Sequence, residues 1–152
     1  MALDQDGKRP GPGGVFRRVL VGYDGSTAAL HALQVAISLA ADLQGEAHVI
    51  LVVRPPAHSE TPEEREQAAE AEKENLSRGL SGVQNQTQHR WEVSTEVVYA
   101  DDPAQAIADY AEEHGFDLVV VGRHGREQMT HRGIGQSVEA LLRHHPCPVL
   151  VV

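Results

Sequence analysis

Along this 152-residue chain, short aliphatic runs alternate with stretches in which apolar residues recur at helical spacing. Residues 16–23 (FRRVLVGY) form the first run. Asp24-Gly25-Ser26 then offers a turn and a helix cap before Leu30, Leu33, Ile37 and Ala40 recur three or four apart. Residues 47–53 (AHVILVV) form a second run, stopped by Pro55-Pro56. Thr61-Pro62-Glu63-Glu64 opens an acidic segment reaching to about Leu80, read as a long, exposed and weakly amphipathic helix. Residues 91–99 (WEVSTEVVY) partly alternate and are rich in β-branched side chains, as expected of a less buried strand near a sheet edge. Asp102 is placed to cap a third helix with Pro103 at its first position, Ile107, Ala108 and Ala111 as its inward stripe, and His114-Gly115 as its end. Residues 117–121 (DLVVV), a loop from Gly122 to Gly135, a short helix marked by Val138, Leu141 and Leu142, and residues 148–152 (PVLVV) complete the chain.

Five strands alternating with four helices, with continuous aliphatic runs in the central strands, predict a single α/β domain: a parallel sheet covered by helices on both faces. The Gly/Pro-rich start predicts a flexible arm over residues 1–14, leaving the domain to residues 15–152. In such sheets ligands bind beyond the carboxyl ends of the strands, where strand order reverses. Element spacing leaves that order open.

Charge narrows the partners. A formal net charge of -9 repels nucleic-acid backbones and anionic lipid surfaces at long range, so neither is expected as a partner. Cys147 is the sole cysteine, which rules out an intramolecular disulfide and fits a reducing compartment. The start has no signal-peptide apolar stretch and no later run has the length of a membrane span, so a cytoplasmic location is expected.

The constellation richest in chemistry is Gly122-Arg123-His124-Gly125, nine further residues, and then Gly135-Gln136-Ser137 at the start of the last helix. Glycines let backbone amides come close to an anion, and a helix start adds unpaired N–H groups and the positive end of a dipole. The same spacing also suits a loop whose glycines only solve turn geometry. Arg123, Arg126 and Arg132 are either phosphate partners or solvated loop charges. His124, His131, His144 and His145 show no metal-site spacing, so no metal ligand is assigned. Asp24 reads by itself as a turn or cap carboxylate, and Val53 as core. Cys147, between two prolines, reads as a small buried hydrophobe.

VLVGYDGS near the start, VVVG ending the fourth run, the glycine loop and RHHPCPVLVV at the end together resemble the universal stress protein family over residues 16–152. Nucleotide-binding members of that family carry two glycines separated by two residues, nine more residues, then Gly followed by Ser or Thr. Gly122, Gly125 and Gly135 match, whereas Gln136 stands where the hydroxyl residue belongs and Ser137 follows one position late.

The resemblance implies an open, Rossmann-like sheet of order 3-2-1-4-5, with Asp24 opposite Gly122. It further implies an adenine-nucleotide site (ATP or AMP, with Mg²⁺ as phosphate counter-ion) formed by Gly22, Tyr23, Asp24, Val53, Val121, Gly122, Gly125, Gly135, Gln136, Ser137 and Val138. Asp24 and Val53 would lie near adenosine and base, and a homodimer would form through the last strand, whose Pro148 also suits an edge.

The chain has no P-loop, dinucleotide fingerprint or GxSxG elbow, so a regulatory binding protein without dedicated catalysis is expected, engaging a protein partner whose identity the sequence does not supply. Two alternatives stand beside it: a nucleotide-free interaction module in which Gln136 has closed the phosphate site, and a slow ATP hydrolase.

Overall fold

The computed structural model describes residues 16–53, 61–86, 93–125, 135–144 and 147–152. The elements follow in strict alternation: β1 (Arg18–Gly22), α1 (Thr27–Asp42), β2 (Glu46–Val53), α2 (Pro62–Gln86), β3 (Ser94–Tyr99), α3 (Pro103–Glu113), β4 (Leu118–Val121), α4 (Gln136–His144) and β5 (Val149–Val151). All five strands pair in parallel in the order β3-β2-β1-β4-β5, the arrangement the resemblance implies.

Successive strand residues point to opposite faces, so the aliphatic runs feed two cores at once. Val19, Val21, Val49, Leu51, Leu118 and Val120 pack against Ala29, Ala32, Leu33, Ala36 and Ile37 of α1 on one face. Leu20, Ile50, Val119 and Val121 pack against Ala104, Ala108 and Ala111 of α3 and Val138 and Leu141 of α4 on the other. Each fully buried Val, Leu or Ile contributes roughly 1.5–3 kcal/mol relative to exposure. This explains why β4 and the middle of β1, buried on both faces, are aliphatic, while the edge strands β3 and β5 carry exposed residues such as Tyr99 and Leu150.

The helix signals act where the sequence puts them. Ser26 caps α1, its Oγ accepting from the Ala29 amide at 3.1 Å. Asp102 caps α3 by accepting from the Ala104 and Gln105 amides at 3.1 and 3.2 Å, with Pro103 in the first turn. Gly115, at φ +65°, follows the end of α3, where a left-handed residue turns the chain toward β4.

The largest difference from expectation is at α2, which continues past Leu80 to Gln86. Within it Gly79 lies beneath the Tyr23 hydroxyl, so that a side chain there would press on the tip of that ring. The expected arm and Trp91 lie outside the described residues.

Candidate functional site

The order reverses between β1 and β4, and a cleft of about 360 Å³ opens over the carboxyl ends of β2, β1 and β4. The structure brings all eleven expected site residues to its walls. Gly22, Tyr23 and Asp24 come off β1, Val53 closes β2, and Val121, Gly122 and Gly125 come off β4. Gly135 stands at the head of α4, and Gln136, Ser137 and Val138 form its first turn. Val53 and Val138 are buried, so each is core and cleft wall together.

Asp24 holds the turn that the sequence suggests. Its Oδ1 accepts from the Ser26 amide at 2.9 Å. Its Oδ2 faces the returning loop, where a Cβ on Gly125 would lie 3.0 Å away. Ser26 reaches the same loop, its Oγ 3.5 Å from the His124 carbonyl oxygen. The start of α1 and the loop after β4, a hundred residues apart in sequence, therefore share one wall. His124 places its Nδ1 out of solvent, with no hydrogen-bond partner among the described residues.

Two glycines act differently from the sequence reading. The Cβ that Gly122 lacks would sit 2.6 Å from the Ala28 carbonyl carbon and 2.8 Å from the Ala29 nitrogen. Its missing side chain makes room for the first turn of α1, a demand of packing that exists with or without an anion. Gly135 donates its N–H to the Arg123 carbonyl at 2.9 Å, while its own carbonyl accepts from the Glu139 amide at 2.9 Å. Its amide is thus committed to the protein. In the turn that follows, helix geometry leaves the first amides without intrahelical acceptors and a positive dipole end gathers. Gln136 and Ser137 are exposed there. Arg123 is exposed, and its amide donates to the Val152 carbonyl at 2.8 Å, tying the loop to the end of β5. Arg126, His131, Arg132 and His145 lie outside the described residues.

Sequence reasoning missed Glu72, which lines the cleft from α2, and Pro103 and Ile107, which line it from α3. Local pattern carries no signal for Glu72, because its place depends on where α2 docks. It also missed a polar chain at the opposite end of the sheet, where Ser94 hydrogen-bonds His48 Nδ1, and His48 Nε2 lies 2.9 Å from Glu46 Oε2. His48 and Ser94 are register partners on β2 and β3, so this chain clasps the edge strand beside a separate hollow of about 480 Å³.

Cys147 is half-buried against the α3–α4 core. Burial first, then the neighbouring Asp117 carboxylate, push its thiol up, against a smaller lowering by a Val119 backbone hydrogen bond. Among the described residues no group of three or more His, Cys, Asp or Glu is placed to hold a metal ion, and no helix is long and apolar enough to cross a membrane.

An open parallel sheet with helices on both faces and a cleft at the reversal of strand order defines a doubly wound, Rossmann-like α/β protein. Within that class the chain belongs to the universal stress protein family, whose profile matches residues 16–152. The universal stress protein YxiE of Bacillus subtilis is 30% identical over 149 residues, spanning 91% of this chain and 99% of the relative. Universal stress protein UspA from Lactobacillus plantarum superposes with a TM-score of 0.72 at 26% identity, over 91% of this chain and 99% of its own. A universal stress protein from Archaeoglobus fulgidus, solved in complex with dAMP, shares the fold at a TM-score of 0.64 and 21% identity, covering 91% of this chain and 98% of that one.

Proposed function

We propose that this chain binds an adenine nucleotide, ATP or AMP, in the cleft between β1 and β4, and serves the stress response as a regulatory binding protein rather than as an enzyme. The observation that carries the reading is the convergence of Asp24, Val53, Gly125 and the first turn of α4 on one cleft of about 360 Å³. The cleft has one apolar wall for a base and one helix start for phosphates, the pairing a nucleotide requires. The Archaeoglobus neighbour of the same fold was solved with dAMP, which supports the ligand class.

In this reading the base packs beside Val53 and the phosphates lie at the amides of Ser137 and Val138, with the side chain of Ser137 standing in for the hydroxyl that Gln136 replaces. Mg²⁺ travels with ATP as a phosphate counter-ion. The protein acts in the cytoplasm, pairs with a second copy through β5 and passes nucleotide occupancy to a protein partner.

Calorimetric titration of nucleotide-stripped protein with ATP and Mg²⁺ tests this. Saturable binding is expected in the wild type. Asp24→Asn, whose side-chain oxygen still accepts from Ser26, should fold normally and bind more weakly. A second reading rests on Gln136 at the rim of the cleft: a nucleotide-free interaction module. It predicts no binding by the wild type and a gain on Gln136→Ser.

A further inference from the structure

Glu72 is out of character with its helix. α2 is acidic and mostly exposed, and Glu70, Ala71, Lys73 and Glu74 all face solvent, whereas Glu72 is half-buried on the cleft wall. It belongs to the inward face of α2, three positions after the buried Ala69 and seven before Gly79, at spacings that recur on one side of a helix. Gly79 is level with the Tyr23 hydroxyl at the top of β1, and Glu72 lies about 10 Å nearer the start of α2 at 1.5 Å per residue. It therefore overhangs the cleft above the strand ends. α2 packs on β2 and α1, which puts this carboxylate on the Val53 side, across from the first turn of α4.

A carboxylate repels phosphate, so Glu72 is suited to the nucleoside end of a nucleotide rather than to its phosphates. With phosphates drawn to the positive end of α4, the end remote from them is the base, above the apolar floor of Ile50, Val52 and Val53. The group on a base that a carboxylate pairs with is an N–H donor.

We propose that Glu72 is a specificity-determining residue, accepting a hydrogen bond from the exocyclic amino group of the bound base and so favouring adenine over a base that carries a carbonyl there. This rests on the nucleotide-binding reading above. Inosine nucleotides are the direct contrast, because their ring carries O6 in place of the amino group, and two acceptors would then face each other.

The test is calorimetry on the stripped full chain with ATP, ITP and 2′-deoxy-ATP, in the wild type and in Glu72→Gln. A hydrogen bond to a charged acceptor is worth roughly tenfold or more in affinity, so wild type should prefer ATP over ITP by at least about that factor. Glu72→Gln should narrow the gap, since its amide turns to donate to O6, while 2′-deoxy-ATP should follow ATP throughout. Equal affinity of wild type for ATP and ITP would overturn the inference and leave nucleotide binding standing, and so would a gap that Glu72→Gln leaves intact. Loss confined to 2′-deoxy-ATP would overturn it in favour of a ribose contact. No binding of any of the three would remove the nucleotide reading itself.

Discussion

The backbone of Gly122 runs against the peptide of Ala28, so closely that a Cβ on Gly122 would stand 2.6 Å from the Ala28 carbonyl carbon. Neither partner is the end of a flexible side chain, so the contact is relieved only if α1 or the end of β4 shifts. Gly122→Ala should cost about 1–3 kcal/mol of stability with no ligand present, a fall of roughly 3–10 °C in Tm. Calorimetric melting of the stripped protein checks this, and an unchanged Tm would refute the packing role. A ligand-binding comparison is therefore better made with Asp24→Asn than at Gly122.

Asp117 holds the start of β1. Its carboxylate accepts from the Arg17 amide at 2.9 Å and the Arg18 amide at 3.0 Å, one oxygen to each. Asp117→Ala strips both amides of their partner in a part-buried setting and should lower stability by about 2 kcal/mol. Asp117→Asn, which keeps one acceptor oxygen, should lose about half as much. Urea midpoints at constant m-value would measure both, and equal losses would contradict the two-amide assignment.

The raised thiol of Cys147 gives an alkaline signature. Burial disfavours its thiolate, as it disfavours the phenolate of Tyr110, which desolvation and then Glu96 push up while Arg18 pulls it down. A group whose folded pKa lies above its unfolded value contributes stability that is complete below the unfolded value, about 8.5 for a thiol, and is lost as pH rises through the folded one. Stability should begin to fall above about pH 8.5 and fall further near pH 10, and Cys147→Ser should remove the earlier component. Alkylation by iodoacetamide should turn on at a higher pH than for a free thiol in denaturant. A coincident pH profile would contradict the burial argument.

Gln136 opens α4 at the cleft rim, where Ser would place a compact hydroxyl beside the first-turn amides. Gln136→Ser should tighten ATP binding by roughly three- to tenfold with little change in Tm, a single neutral hydrogen bond's worth. Unchanged or weaker binding would mean that Gln136 already serves the phosphates or that they lie elsewhere.

Leu150 stands 37% exposed on β5, an edge strand only three residues long. Such an edge is a template for pairing with a second copy. Sedimentation should find a dimer at micromolar concentration, and Leu150→Asp should yield a folded monomer. A monomeric wild type would remove this assembly.

How far these features could be read in advance depended on their range along the chain. Ser26, Asp102 and Pro103 were legible because a cap acts on amides two or three residues away. Gly122, Gly125 and Gly135 were legible as a group, and their common cleft follows once β4 lies beside β1. Their individual duties were not, since the Ala28 contact of Gly122 and the Arg123 bond of Gly135 depend on distances that spacing alone does not express. Glu72 was invisible for the same reason: one acidic residue among many on α2 is set apart only by the docking of Gly79 on Tyr23.

By itself the sequence determined the alternation of strands and helices, the two-faced burial of the aliphatic runs and the places where helices begin, because each of these follows from periodicity and hydrogen bonding within a few residues. Element spacing left the strand order open, and only family resemblance anticipated it. The tertiary structure decided which glycine packs and which faces the cleft, and that a carboxylate from α2 overhangs it. Those outcomes depend on contacts between segments up to a hundred residues apart, set only when both faces of one sheet are covered together.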